Sequence, residues 1–93
     1  MNIKRVTGRK AGNLMLYALS TCIWCRKTKE LLSSLGVEYD YIDVDLLKGA
    51  EREAAVNEIM KHNPSRSFPT LVIDGDKCIV GFQEEEIRGA LKL

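Results

Sequence analysis

Apolar residues along this chain fall into two rhythms. Leu14–Leu19 is an unbroken apolar run, the pattern of a strand buried on both faces. Cys25, Thr28, Leu32 and Leu35 then follow at spacings of 3, 4 and 3, with Leu31 beside them. That stripe predicts a helix to about Leu35, capped at its start by Thr21 and stopped by Gly36. Val37–Val44 reads as a second strand, so strand, helix and strand make a right-handed βαβ unit with parallel strands. Lys48–His62 reads as a second helix with Val56, Ile59 and Met60 inward, ended by Asn63-Pro64. Thr70–Ile73 and Lys77–Val80 predict a hairpin around Asp74-Gly75-Asp76. Glu84–Leu91 closes the pattern as an amphipathic helix with Ile87, Ala90 and Leu91 apolar. Residues 1–13 are basic and contain Gly8 and Gly12; they form either a tail or a short strand, Ile3–Val6, turning at Thr7-Gly8. The expected division is therefore a basic N-terminal extension, 1–13, and one domain, 14–93.

Ninety-three residues suffice for one core and not for two. A net charge of +1 argues against a chain built for nucleic acid or membrane surfaces. The charge is unevenly spread: residues 1–29 carry seven bases and no acid, residues 30–60 eight acids against two bases. This is either placement on solvated faces or a positive field around Cys22 that favours a thiolate and steers acidic partners. Three cysteines do not make a secreted disulfide scaffold, so a reducing, cytoplasmic compartment is expected. Basic residues followed by Leu14–Leu19 and Ser20-Thr21-Cys22 loosely mimic a signal peptide. The apolar run is short for one, and cleavage there would discard the first strand.

The candidate chemistry is Cys22-Ile23-Trp24-Cys25, placed between a strand and a helix start. At spacing i,i+3 both sulfurs share one face of the first turn. One thiol can attack a disulfide and the other can release the product. Cys25 lies on the buried stripe and Cys22 nearer solvent, which makes Cys22 the attacking thiol and Cys25 the resolving one. The helix N-terminus, with Arg26 and Lys27 one turn on, favours the Cys22 thiolate. A zinc site would need a second Cys/His pair, and only Cys78 and His62 remain, singly placed; no metal is expected. Cys78 reads as a small core residue, and Asp40, Asp43 and Asp45 as the solvent face of a strand. Trp24 is a surface aromatic or a platform that touches substrate. Phe68-Pro69 opens a strand, for which a trans bond is the base-rate reading. Gly81-Phe82-Gln83-Glu84 is a turn or a lobe of a substrate groove.

These residues resemble the thioredoxin superfamily, specifically glutaredoxins and glutaredoxin-like redoxins, over residues 14–91. Tyr17 and Thr21-Cys22-Ile23-Trp24-Cys25 are similar to that family's strand and active site, and Ser67-Phe68-Pro69 to its threonine-valine-proline segment. The resemblance implies a thioredoxin fold: a four-stranded mixed sheet, βαβ then α then ββα, flanked by three helices. It also implies a cis Phe68–Pro69 bond. The expected site is Cys22 and Cys25 as catalytic pair, with Thr21, Trp24, Arg66, Phe68, Pro69, Gly81, Phe82 and Glu84 binding substrate.

The departures matter. Glutathione-using glutaredoxins carry a lysine where this chain has Leu19, a proline where it has Ile23, and a second glycine where it has Val80 before Gly81. Losing that lysine removes a charge-assisted bond to a glutathione carboxylate. Arg66 is the substitute at hand, and Glu84 can hold an ammonium. Val80-Gly81-Phe82 is similar to the serine-glycine-phenylalanine of NrdH-type redoxins. The resemblance thus implies a monomeric dithiol oxidoreductase with no tightly bound cofactor. Its electron donor is glutathione or a thioredoxin reductase, and its targets are disulfide-bearing proteins, ribonucleotide reductase among the candidates. The alternative is a [2Fe–2S] carrier that shares a cluster between two subunits through the first cysteine and glutathione.

Overall fold

A computed structural model describes residues 3–65 and 67–92. The elements are β1 (Lys4–Val6), β2 (Leu14–Ala18), α1 (Ile23–Ser34), β3 (Tyr39–Asp43), α2 (Gly49–His62), β4 (Thr70–Ile73), β5 (Lys77–Val80) and α3 (Glu84–Leu91). A 3-10 turn, Val44–Leu46, joins β3 to α2.

The sheet is mixed, in the order β1-β3-β2-β4-β5. β2 and β3 run parallel, as the βαβ reading requires, and every other pair is antiparallel. The count is five strands rather than the four expected, because Lys4–Val6 pairs with Tyr39–Tyr41 of β3. The segment after β1 is fixed as well. Arg9 N–H donates to Gly36 O at 2.8 Å and Glu38 N–H to Arg9 O at 2.9 Å. Gly8 lies so close that a Cβ there would stand 2.7 Å from Gly36 O, nearer than real side chains approach backbone.

β2 sends alternate side chains to opposite faces, and both faces are covered. Leu14, Leu16 and Ala18 pack with Cys25, Leu31 and Leu32 of α1 and Ile87 and Leu91 of α3. Tyr17 packs with Ile42, Val72 and Ala55 and Ile59 of α2. This three-layer arrangement explains why β2 has no polar face to read. On α2 the inward pair is Ala55 and Ile59, one turn apart; Val56 is half-buried, and Met60 points outward at 44 % exposure, contrary to expectation. Met60 lies 100° round the helix from Ile59, which carries it off the narrow buried stripe.

The hairpin turns where expected. Asp74 (φ 54°) and Gly75 (φ 75°) take left-handed backbone at its tip. Asp74 Oδ1 accepts Asn13 N–H at 2.8 Å, which ties the hairpin to the start of β2.

Candidate active site

Strand register gathers the site. Tyr17 pairs with Thr70, and Thr70 with Val80. The chain after β2, the chain before β4 and the chain after β5 therefore meet at one end of the sheet. Those segments are Leu19–Cys22, Phe68-Pro69 and Gly81-Phe82. Cys22, Phe68 and Phe82 all pack half-buried against the same core.

Cys22 itself is the N-cap of α1, with extended backbone (φ −87°, ψ 121°), one residue later than the Thr21 cap expected. The reason is local: the Cys22 sulfur accepts Cys25 N–H at 3.2 Å, the bond a cap side chain normally provides. Thr21 belongs to the exposed turn before it. The Cys22 sulfur thus meets a free N–H at the positive end of the helix.

Cys25 differs in kind. It is fully buried, and burial pushes its thiol up to about 12, with the neighbouring Cys22 adding to the rise and the Leu19 backbone, then Lys29, opposing it. Lys29 was not singled out by sequence. It sits one turn beyond Cys25, makes a 2.9 Å ion pair with Asp43 and lies 4.2 Å from the Tyr41 ring centroid.

Around the pair stands an apolar ledge. Trp24 is 53 % exposed and stacks on Phe82, ring centroids 6.1 Å apart and planes 24° off parallel. Lys27 Nζ lies 5.1 Å from the Trp24 ring centroid. Ile23 is equally exposed, and Val80 is exposed at 38 %; neither stands out as a contact residue in the sequence. Arg26 is exposed, and its N–H donates to Cys22 O at 3.1 Å. Glu84 is exposed at the start of α3 and already accepts Arg88 Nε at 3.1 Å.

Phe68–Pro69 is cis, as the family resemblance implies, and Pro69 O accepts Gly81 N–H at 2.8 Å. Gly81 has φ 82°, a conformation that suits glycine. The segment is held by a residue read only as a helix terminator. The buried Asn63 amide donates to Ser67 O, Ser67 Oγ and Thr70 Oγ1 at 3.1–3.2 Å and accepts Ser65 Oγ at 2.6 Å. Arg66 lies outside the described residues.

The three aspartates are not a bare solvent face. Asp40 pairs with Arg5, Asp43 with Lys29, and Asp45 lies past the strand and takes two bonds from Ser20. Among the described residues no group of three or more His, Cys, Asp or Glu is placed to hold a metal. No described helix is long and apolar enough to cross a membrane. Cys78 is half-buried on β5, its thiol pushed up by burial and by Glu86.

A two-cysteine helix start beside a cis-proline segment, on a βαβ–α–ββ–α sheet, defines a thiol-redox protein of thioredoxin fold. Residues 14–79 match the glutaredoxin family profile, and the chain belongs to the glutaredoxin family. It is similar to the glutaredoxin of Methanosarcina mazei, with 52 % identity and TM-score 0.92 over 98 % of this chain and 88 % of that one. It is also similar to methanoredoxin of Methanosarcina acetivorans, with 48 % identity and TM-score 0.90 over 92 % and 90 %. A glutaredoxin-like 8.6 kDa protein encoded in a rubredoxin operon of Clostridium pasteurianum is 34 % identical over 80 % of this chain and 91 % of its own length.

Proposed function

We propose that this chain reduces disulfides through a two-thiol cycle in which Cys22 attacks and Cys25 resolves. The observation that carries the reading is the asymmetry of the pair: a half-buried residue whose sulfur caps a helix, beside a fully buried thiol held neutral. Cys22 thiolate adds to one sulfur of a substrate disulfide, and the other substrate sulfur leaves as thiolate. Cys25, losing its proton, then attacks the Cys22 sulfur of the mixed disulfide. The substrate's second sulfur leaves as a thiol, and the protein holds a Cys22–Cys25 disulfide, two electrons poorer. Once Cys22 is bonded to substrate, its contribution to the high Cys25 value lapses, and Lys29 continues to favour the Cys25 thiolate. Burial, the main cause of the high Cys25 value, persists, so the intermediate eases the deprotonation of the resolving thiol only in part.

For substrate contact the reading takes Thr21, Trp24, Phe68, Pro69, Gly81, Phe82 and Glu84, with Arg66 as a further candidate. The exposed Ile23 and Trp24, with half-buried Phe82 stacked on the Trp24 ring, suit a disulfide borne on a polypeptide. Leu19, where a glutathione site would want a cation, packs against the core shared with α2, and Glu84 is engaged by Arg88. Both features favour a protein reductase, such as a thioredoxin reductase, over glutathione as electron donor. Three free cysteines suit the cytoplasm.

The test is re-reduction of the oxidised protein in parallel, with glutathione and glutathione reductase or with NADPH and thioredoxin reductase. Reduction chiefly by the latter supports this donor. Fast reduction by glutathione overturns it and leaves the Cys22–Cys25 cycle standing.

A further inference from the structure

The loop that carries Cys22 is slung between two strand ends. β2 and β3 run parallel with Ala18 opposite Asp43, and beyond that pair the chains part. One turns through Ser20-Thr21 into α1, and the other enters the 3-10 turn at Val44. Two residues past the last pair stand Ser20 on one side and Asp45 on the other. The Asp45 carboxylate spans the gap. Ser20 N–H donates to Oδ1 at 2.8 Å, and Ser20 Oγ–H donates to Oδ2. Two donors of one residue on two oxygens of one carboxylate fix orientation as well as distance. These same bonds hold the Asp45 carboxyl below the usual carboxylate range, so it stays ionised at neutral pH. Thr21 alone separates Ser20 from Cys22, and Cys22 N–H turns back onto Leu19 O at 3.2 Å. Asp43 meanwhile grips α1 through Lys29. The end of β3 therefore holds the chain on both sides of Cys22.

We propose that Asp45 is a positioning residue for disulfide exchange: by tethering Ser20 it keeps the Cys22 sulfur over the α1 N-terminus, where Cys25 N–H donates to it. Asp45 itself touches no reacting atom. The proposal rests on the reading of Cys22 as the attacking thiol. A tether and a mere nearby charge predict opposite signs. Removing a negative charge near a thiol favours its thiolate and speeds alkylation, whereas loosening the loop takes the sulfur off its donor and slows it.

The test uses the full reduced chain at pH 7 with limiting iodoacetamide, reading Cys22 and Cys78 alkylation separately by peptide mass spectrometry. Thermal unfolding of each variant is recorded alongside. In the unmodified chain Cys22 should react at least about tenfold faster than the half-buried Cys78. Asp45→Ala should slow Cys22 by about threefold or more and leave Cys78 unchanged. Asp45→Asn should stay within about twofold of the parent, because its amide oxygen still accepts Ser20 N–H and its NH₂ can donate to Ser20 Oγ. An Asp45→Ala rate equal to or above the parent overturns the proposal, and so does Asp45→Asn as slow as Asp45→Ala. If Asp45→Ala does not fold, Asp45→Ser decides, since its short hydroxyl does not reach both Ser20 donors: slower Cys22 alkylation supports the tether and an unchanged rate overturns it. A parent Cys22 no faster than Cys78 is a separate failure. It removes the attacking-thiol reading and the proposal with it.

Discussion

Two loops meet at the reactive end of the sheet, and they are held by different means. The loop before Pro69 is organised from inside, by one buried amide that satisfies three oxygen acceptors and receives a fourth bond. The loop before Cys22 is organised from outside, by an exposed carboxylate on Ser20. A buried polar hub is expensive to break, because its partners are left dry. An exposed tether is cheap to break, because water replaces it. The difference teaches which loop carries stability and which carries tuning.

Breaking the inner hub should give the largest effect on the fold. Asn63→Ala should destabilise by about 2–3 kcal/mol, since the buried Thr70 hydroxyl and the partly buried Ser67 carbonyl lose a shared donor. Denaturant unfolding measures it, and a loss below about 0.5 kcal/mol would mean that water fills the hub. Gly8→Ala comes next, at about 1–3 kcal/mol, because its Cβ would press on the Gly36 carbonyl. Thr70→Val should cost about 1 kcal/mol by removing the 2.7 Å bond from Thr70 Oγ to Ser67 O. Asp45→Ala should change stability least of these while still moving Cys22 reactivity; equal losses for Asn63→Ala and Asp45→Ala would erase the contrast between the loops.

Alkaline pH offers a gentler probe of the buried side. Cys25 is pushed from 9.0 to about 12, and burial also raises Tyr17 and Tyr39. Above about pH 9 the unfolded chain therefore releases protons that the folded chain keeps, so stability falls as pH climbs toward 12. Melting temperature should hold level between about pH 7 and 8.5 and then decline, with the early part of the decline flattened in Cys25→Ser. A decline unaltered by that substitution would place the alkaline weakness in Cys78 and the two tyrosines.

Much of the architecture was legible because its signals are local. The apolar run of β2, the 3,4,3 stripe of α1 and the Asp-Gly turn each depend on a few neighbouring residues. The Cys22/Cys25 asymmetry followed from the same stripe, since Cys25 lies on it and Cys22 does not. What escaped was long-range. Asp45 reads as one more strand acid until the Ala18–Asp43 register puts it opposite Ser20, 25 positions away. Asn63 reads as a helix terminator until the chain folds back on its amide. The N-cap slipped from Thr21 to Cys22 because sulfur is a poor cap by propensity and only the geometry shows it accepting. The cis geometry at Pro69 came from family likeness, since residue preference alone points to trans.

The central claim is that Cys22 attacks and Cys25 resolves. Its most direct test is to incubate the Cys25→Ser and Cys22→Ser variants with a disulfide-bearing protein substrate and resolve the products by non-reducing electrophoresis and mass spectrometry. Cys25→Ser should accumulate a covalent adduct through Cys22, while Cys22→Ser should form none and lose turnover. An adduct through Cys25 in the Cys22→Ser protein, or full reductase activity there, would contradict it.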